Sequence, residues 1–96
     1  MSVPAACLSP SDNVATLLGP VEAGGTVAID TGAGETHVHA RDPIALGHKI
    51  ALADLALGDR VIKYGECIGV ASCVIARGQW VHVHNMRSTR AQASTA

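Results

Sequence analysis

The chain has 96 residues, of which 48% are hydrophobic and 16% charged, with a net charge of −1. That length makes a single domain. Scattered basic residues on a near-neutral chain exclude an electrostatic nucleic-acid binder and a polybasic membrane-surface binder, and no apolar run reaches the roughly 20 residues of a spanning helix. A domain this size hides only about two-thirds of its unfolded surface. With no Phe, one Trp and one Tyr, its core has to be built from aliphatic side chains. The chain carries more apolar residue than such a core can hide, which implies a covered face and therefore a subunit or a homo-oligomer. Met1 to Pro10 lacks the charged and apolar regions of a signal peptide. Cys7, Cys67 and Cys73 form an odd set without a Cys-x-x-Cys, which reads as reduced thiols in or near the core of a cytoplasmic protein.

Residues 1–11 are small and polar and read as a flexible N-terminus. Asn13 to Leu18 and Thr26 to Asp30 read as strands. Glu35 to Ala40 is the next, joined to its predecessor as a hairpin through Thr31-Gly32-Ala33-Gly34. Lys49 to Leu52 is a short strand, and Ala53 to Leu57 a possible helical turn. Arg60 to Tyr64, Cys67 to Ile75 and Trp80 to His84 complete the set, with Tyr64-Gly65-Glu66 a tight turn. No segment holds a helical period over 11 residues. Residues 12–86 are the folded body and 87–96 a flexible tail. A three-fold echo runs through the chain: Val21-x-x-Gly24-x-x-Val27, Leu55-x-x-Gly58-x-x-Val61 and Ile75-x-x-Gly78-x-x-Val81. In each copy an apolar residue anchors a turn, Gly takes a positive φ, and a β-branched residue restarts a strand. The expected fold is a small, mainly β domain.

The proton-active side chains collect between Gly47 and Asn85. His37-Val38-His39 and His82-Val83-His84 each set two imidazoles at i and i+2, which on a strand is one face. That spacing suits a metal or an anion; two solvated histidines on a polar face is the alternative. The closing Asn85 and the strand end beside it favour a role for His82 and His84. In Gly47-His48-Lys49 an imidazole and an ammonium follow a flexible residue, but strand neighbours face opposite sides unless the backbone bends. Lys63-Tyr64-Gly65 ends a strand with an ammonium and a phenol able to donate a hydrogen bond or act as a general acid; a snorkelling Lys beside an amphipathic Tyr is the bland reading. Trp80 reads as a core or interface anchor. The chain has no Gly-rich phosphate loop, no His-Glu-x-x-His and no Ser nucleophile between glycines. No carboxylate pair suits general acid–base work. The chain can bind an anion and help hold a metal, but it does not amount to a whole active site.

Taken in order, Asp12-Asn13-Val14-Ala15, Gly47-His48-Lys49-Ile50-Ala51-Leu52, Val61-Ile62-Lys63-Tyr64-Gly65-Glu66, Ile68-Gly69 and Ile75-x-x-Gly78-x-Trp80-Val81-His82-Val83-His84-Asn85 resemble the N-terminal SAF domain of the altronate/galactarate dehydratase family. The ending His82-x-His84-Asn85 is similar to the altronate type. The resemblance implies a β-clip fold, a large dehydratase subunit as partner, a sugar acid as substrate, and β-elimination of water dependent on a divalent metal, iron, held mainly by that large subunit. It implies catalytic roles for His48, Lys63 and Tyr64, and substrate contacts from Gly47, His48, Lys49, Lys63, Gly65 and Asn85. His82 and His84 would lie on the metal side. Sulfolactate sulfo-lyases have a similar small subunit and are an alternative, as are a non-catalytic carbohydrate- or protein-binding β-module and an autonomous metal-binding protein that uses both His-Val-His triplets.

Overall fold

The computed structural model describes residues 2–32 and 34–88. These form nine strands and no helix: β1 (Ser2–Ala6), β2 (Val14–Leu17), β3 (Thr26–Asp30), β4 (Glu35–His39), β5 (Lys49–Ala51), β6 (Arg60–Lys63), β7 (Glu66–Ala71), β8 (Trp80–Val81) and β9 (Met86–Ser88). The first sheet has the order β4-β3-β1-β2-β5-β8 and the second β6-β7-β9. The mainly β class expected from the sequence is the class observed.

Two aliphatic cores flank the shared strands. Ala15, Leu17 and Ile50 point into one core with Val27, Ile29 and Ile44, and Trp80 packs on its rim. Val14, Ala51 and Val81 point into the other with Leu55, Val61 and Ile75. Successive residues of a strand face opposite sides, so β2, β5 and β8 are covered on both faces. Each fully buried Leu, Ile or Val stabilises the fold by roughly 1.5–3 kcal/mol.

The three-fold echo is in fact four-fold. Ile44-x-x-Gly47-x-x-Ile50 is the further copy. In all four turns the glycine has φ between +84° and +93°, and the next residue's N–H closes the turn onto Glu22, Ala45, Ala56 or Ala76. Each turn then clamps the last residue of a neighbouring stretch. The glycine N–H donates to that residue's carbonyl, and that residue's N–H donates to the carbonyl after the glycine. Gly24 and Gly25 clamp Ala40, Gly47 and His48 clamp Leu17, Gly58 and Asp59 clamp Ala71, and Gly78 and Gln79 clamp Ala51. All four clamped residues are buried. The apolar anchors pair with one another, Val21 with Ile44 and Leu55 with Ile75.

Several sequence expectations need correction. The N-terminus is not loose: β1 lies inside the first sheet, parallel to β3 and antiparallel to β2. Its burial alternates through Val3, Ala5 and Cys7, a strand signal diluted by the small residues and by Pro4, which donates nothing to a ladder; the Pro4 carbonyl still accepts the Leu18 N–H. Ala53 to Leu57 is a bridge and a glycine turn, not a helical turn. β7 stops at Ala71, and Ile75 pairs separately with Leu55. Of the expected tail, residues 87 and 88 belong to β9, which pairs with β7, and 89–96 lie outside the described residues. Cys7 is buried as expected, but Cys67 and Cys73 are exposed.

The β6–β7 hairpin turns through Tyr64 (φ 55°) and Gly65 (φ 77°). Positive φ at both central residues marks the tight turn whose twist suits a hairpin. Asp12 holds this tip. Its carboxylate accepts the Gly65 N–H at 2.8 Å and those of Leu8 and Ser9 at 3.2 and 3.3 Å. Partial burial pushes the Asp12 pKa up, but the backbone donors Gly65, Tyr64, Ser9 and Leu8 outweigh it, and the carboxyl sits below its ordinary 3.8. Asn13 pins the same hairpin, accepting from Ile62 N at 2.7 Å and donating to Arg60 O at 2.8 Å.

Two measurements check this frame. A Cβ at Gly58 would meet open space, whereas one at Gly78 would run into the His39 carbonyl oxygen. Gly58→Ala should therefore cost about 1–2 kcal/mol from the left-handed backbone alone, and Gly78→Ala roughly 1–3 kcal/mol more from crowding; urea unfolding that ranks them equally contradicts the packing at Gly78. For Asp12, the folded pKa lies below the unfolded one, so below about pH 3.8 the unfolded chain takes up a proton before the folded one does. Its contribution is complete above that value and is lost as pH falls through the folded pKa. Asp12→Ala should lower stability at neutral pH and flatten the acid limb of the stability curve; an unchanged limb rules out this role.

Candidate functional site

The site forms where the turn before β5 meets the end of β8. β5 and β8 pair antiparallel, Lys49 with Val81 and Ile50 with Trp80. One step beyond the ladder, that register sets His48 opposite His82. The two imidazole rings lie 5.0 Å apart between centroids. Trp80 joins them: its indole N–H donates to His48 Nδ1 at 3.1 Å, and its ring stacks on His82 at 5.2 Å with a 12° tilt between planes. His84 also reaches the indole, at 4.8 Å.

The second half of the site lies on the other side of β5. Lys49 pairs in register with Thr16, and the Tyr64 hydroxyl donates to Thr16 Oγ1 at 3.3 Å. The Lys63 ammonium sits 5.0 Å from the centre of the Tyr64 ring, a cation–π distance. Burial, and then the charge of Lys63, hold the Lys49 pKa below its ordinary value. The halves are electrically coupled: partial burial comes first, and His48, Lys49 and His84 then depress the His82 pKa further. Among the described residues the one ion pair joins His37 to Glu35, so no carboxylate neutralises Lys49, Lys63, His48, His82 or His84. Like-signed groups that disfavour one another's charge form a site that an anion would relieve.

The expected residues therefore divide. His48, Lys49, Lys63, Tyr64, His82 and His84 converge. Gly47 (φ +84°) supplies the bend that lets His48 and Lys49 serve adjoining halves, and Gly65 fixes the hairpin tip by donating to Asp12. Asn85 is spent on the backbone: it is buried, its Oδ1 accepts the His82 N–H at 2.9 Å, and its Nδ2 donates to the Trp80 carbonyl at 2.8 Å. That turn ends β8 at Val81, so His82 and His84 do not share a strand face and the i, i+2 argument for a metal pair fails. Among the described residues no three His, Cys, Asp or Glu side chains could together hold a metal ion. His37 and His39 do share the exposed face of β4, but each has a local neighbour: Glu35 at 2.9 Å for His37 and Thr26 at 3.3 Å for His39. Sequence reasoning missed Trp80 as the hub of the cluster and Thr16 as the phenol's partner. Trp80 lies two residues before His82, and that adjacency was the signal available.

The site thus sets imidazoles and ammoniums side by side on an all-strand domain. Residues 4–89 match the altronate/galactarate dehydratase SAF domain, and the chain belongs to that family. It is 46% identical over 77 residues to the altronate dehydratase of Escherichia coli strain K12, a match covering 80% of this chain and 15% of that protein. It is 46% identical over 50 residues to the (2R)-sulfolactate sulfo-lyase subunit alpha of Chromohalobacter salexigens, covering 52% of this chain and 53% of that one. Against the subunit of the same name from Paracoccus pantotrophus it is 45% identical over 51 residues, or 53% and 76% of the two chains.

The electrostatics are checked by a histidine NMR titration. His82 should titrate below 6.5, and Lys49→Met should move it upward, because the Lys49 charge that opposes its protonation is gone. A His82 midpoint at or above 6.5, or one unmoved by Lys49→Met, contradicts the coupling of the two halves.

Proposed function

We propose that this chain is the SAF subunit of a metal-dependent sugar-acid dehydratase, most similar to altronate dehydratase. It works in the cytoplasm with a large dehydratase subunit, and together they remove water from a hydroxy acid to give a 2-keto-3-deoxy acid. The observation that carries this reading is the convergence of His48, Lys49, Lys63 and Tyr64, without a neutralising carboxylate, in a chain of this family.

In such a β-elimination a base takes the proton beside the substrate carboxylate, and a hydroxyl leaves the neighbouring carbon. Negative charge grows on the carboxylate oxygens and on the departing oxygen, and fixed donors aimed at those positions speed the step. Lys49 and Lys63 offer two ammonium groups to the carboxylate, and the partly buried Lys49 gains most from an anion beside it. His48 and Tyr64 offer hydrogen bonds to hydroxyl oxygens. In this reading the iron is held mainly by the large subunit; among the described residues no three His, Cys, Asp or Glu side chains group to hold a metal ion. The exposed Leu46 and Val83, at 63% and 78% exposure, flank His48 and His82 in the chain and give the partner apolar surface to cover.

The test is co-purification with the large subunit, followed by assay of the assembled enzyme. The chain alone should turn over nothing, and His48→Ala or Lys63→Ala should each lower turnover by roughly 10²-fold. Full activity in both variants refutes the site. The share of the Paracoccus pantotrophus subunit that the chain matches, 76%, supports a second reading as a sulfo-lyase subunit. Assay with altronate, galactarate and sulfolactate in parallel separates the two.

A further inference from the structure

Trp80 is held on every side. Its N–H donates to Asp42 Oδ2 at 2.9 Å, its carbonyl accepts from Asn85 Nδ2 at 2.8 Å, and its ring lies against His82. From this fixed position its indole N–H meets His48 Nδ1 at 3.1 Å. An indole nitrogen can only donate, so Nδ1 is the acceptor and carries no proton. A neutral imidazole with a bare Nδ1 carries its proton on Nε2. We infer that Trp80 is a positioning residue for His48: its hydrogen bond fixes the Nε2–H tautomer, so that His48 presents a neutral N–H donor to an oxygen of the ligand.

This separates two roles that the residue type alone leaves open. An imidazole acts as a base through an unprotonated nitrogen. Here one nitrogen is occupied by the indole and the other already bears its proton, so His48 donates a hydrogen bond and does not abstract the substrate proton. The base then comes from elsewhere in the assembled enzyme. The donor role rests on the proposed function, in which His48 faces the substrate; the tautomer does not depend on it.

The test begins with the ¹⁵N-labelled chain at mildly alkaline pH. His48 Nδ1 should resonate as an unprotonated nitrogen and Nε2 as a protonated one, and Trp80→Phe, which keeps a ring but removes the N–H, should move the two resonances towards each other as tautomers mix. A protonated Nδ1, or a pattern unmoved by Trp80→Phe, overturns the inference. If Trp80→Phe does not fold, the wild-type chain decides: a scalar coupling across the hydrogen bond between Trp80 Nε1 and His48 Nδ1 supports the assignment, and its absence overturns it. In the assembled enzyme His48→Gln, which keeps an N–H near the Nε2 position, should stay within about tenfold of wild-type kcat, while His48→Glu, with acceptors only, should lose roughly 10²-fold. If the spectra show the tautomer and His48→Gln still loses roughly 10²-fold, the donor role is overturned while the tautomer assignment stands; if neither Gln nor Glu changes kcat, His48 does not meet the substrate and the proposed function loses that contact.

Discussion

The constraint on which this molecule depends is the clamp made by a glycine turn around the end of a neighbouring strand. A short strand offers few ladder bonds, and strands of two to five residues dominate here. Each clamp adds two backbone hydrogen bonds at the point where a strand would otherwise fray, and buries the residue it closes on. The device works only if the turn glycine takes a positive φ, a conformation that costs other residues about 1–2 kcal/mol. It also sets the site. The turn that clamps Leu17 ends in His48, and the turn that clamps Ala51 delivers the chain into Trp80. The two residues that meet through a hydrogen bond are therefore placed by two copies of one backbone device.

How much of this is readable in the sequence follows from the same device. Three clamps show as a repeated apolar-x-x-Gly-x-x-Val. The copy at Ile44 differs only in closing with Ile, which is the same physical signal in another letter. The strands that alternate strongly, Thr26 to Asp30 above all, sit where the pattern puts them. β1 is hidden because its inward positions are only Val3, half-buried, and Ala5, set among Ser, Pro and Ala, a contrast too weak to distinguish from a loose terminus. β8 looks longer than it is, since Trp-Val-His-Val-His alternates like a strand. Asn85 overrides that pattern by taking the His82 N–H and the Trp80 carbonyl out of the ladder. A side chain three to five residues away decides the backbone there, and no period-2 reading contains that information.

The site was legible as a list of residue types and not as a geometry. Glycines beside His48 and Tyr64 marked places where the chain could bend, and both bends are real. What the list lacked was the reason the groups come together. Trp80 looked like a plug for a core without other large rings, yet it sits at the rim of one core, where an amphipathic ring can bury its body and spend its N–H. The other side of β5 shows the same division of labour, with Thr16 taking the Tyr64 hydroxyl while Lys49 and Lys63 crowd one another.

That crowding argues against a purely structural role for the cluster. Stability alone would favour pairing Lys49 with a carboxylate or leaving it in water. Instead it is partly buried near Lys63, and partial burial, followed by the neighbouring groups, lowers the His82 pKa. An anion beside these groups would favour their charged forms. Among the described residues the site also offers donors without a carboxylate paired to them, so it can stabilise developing negative charge. In the proposed reading this domain supplies the part of a reaction centre that receives charge, and the large subunit covers Leu46 and Val83 and completes it.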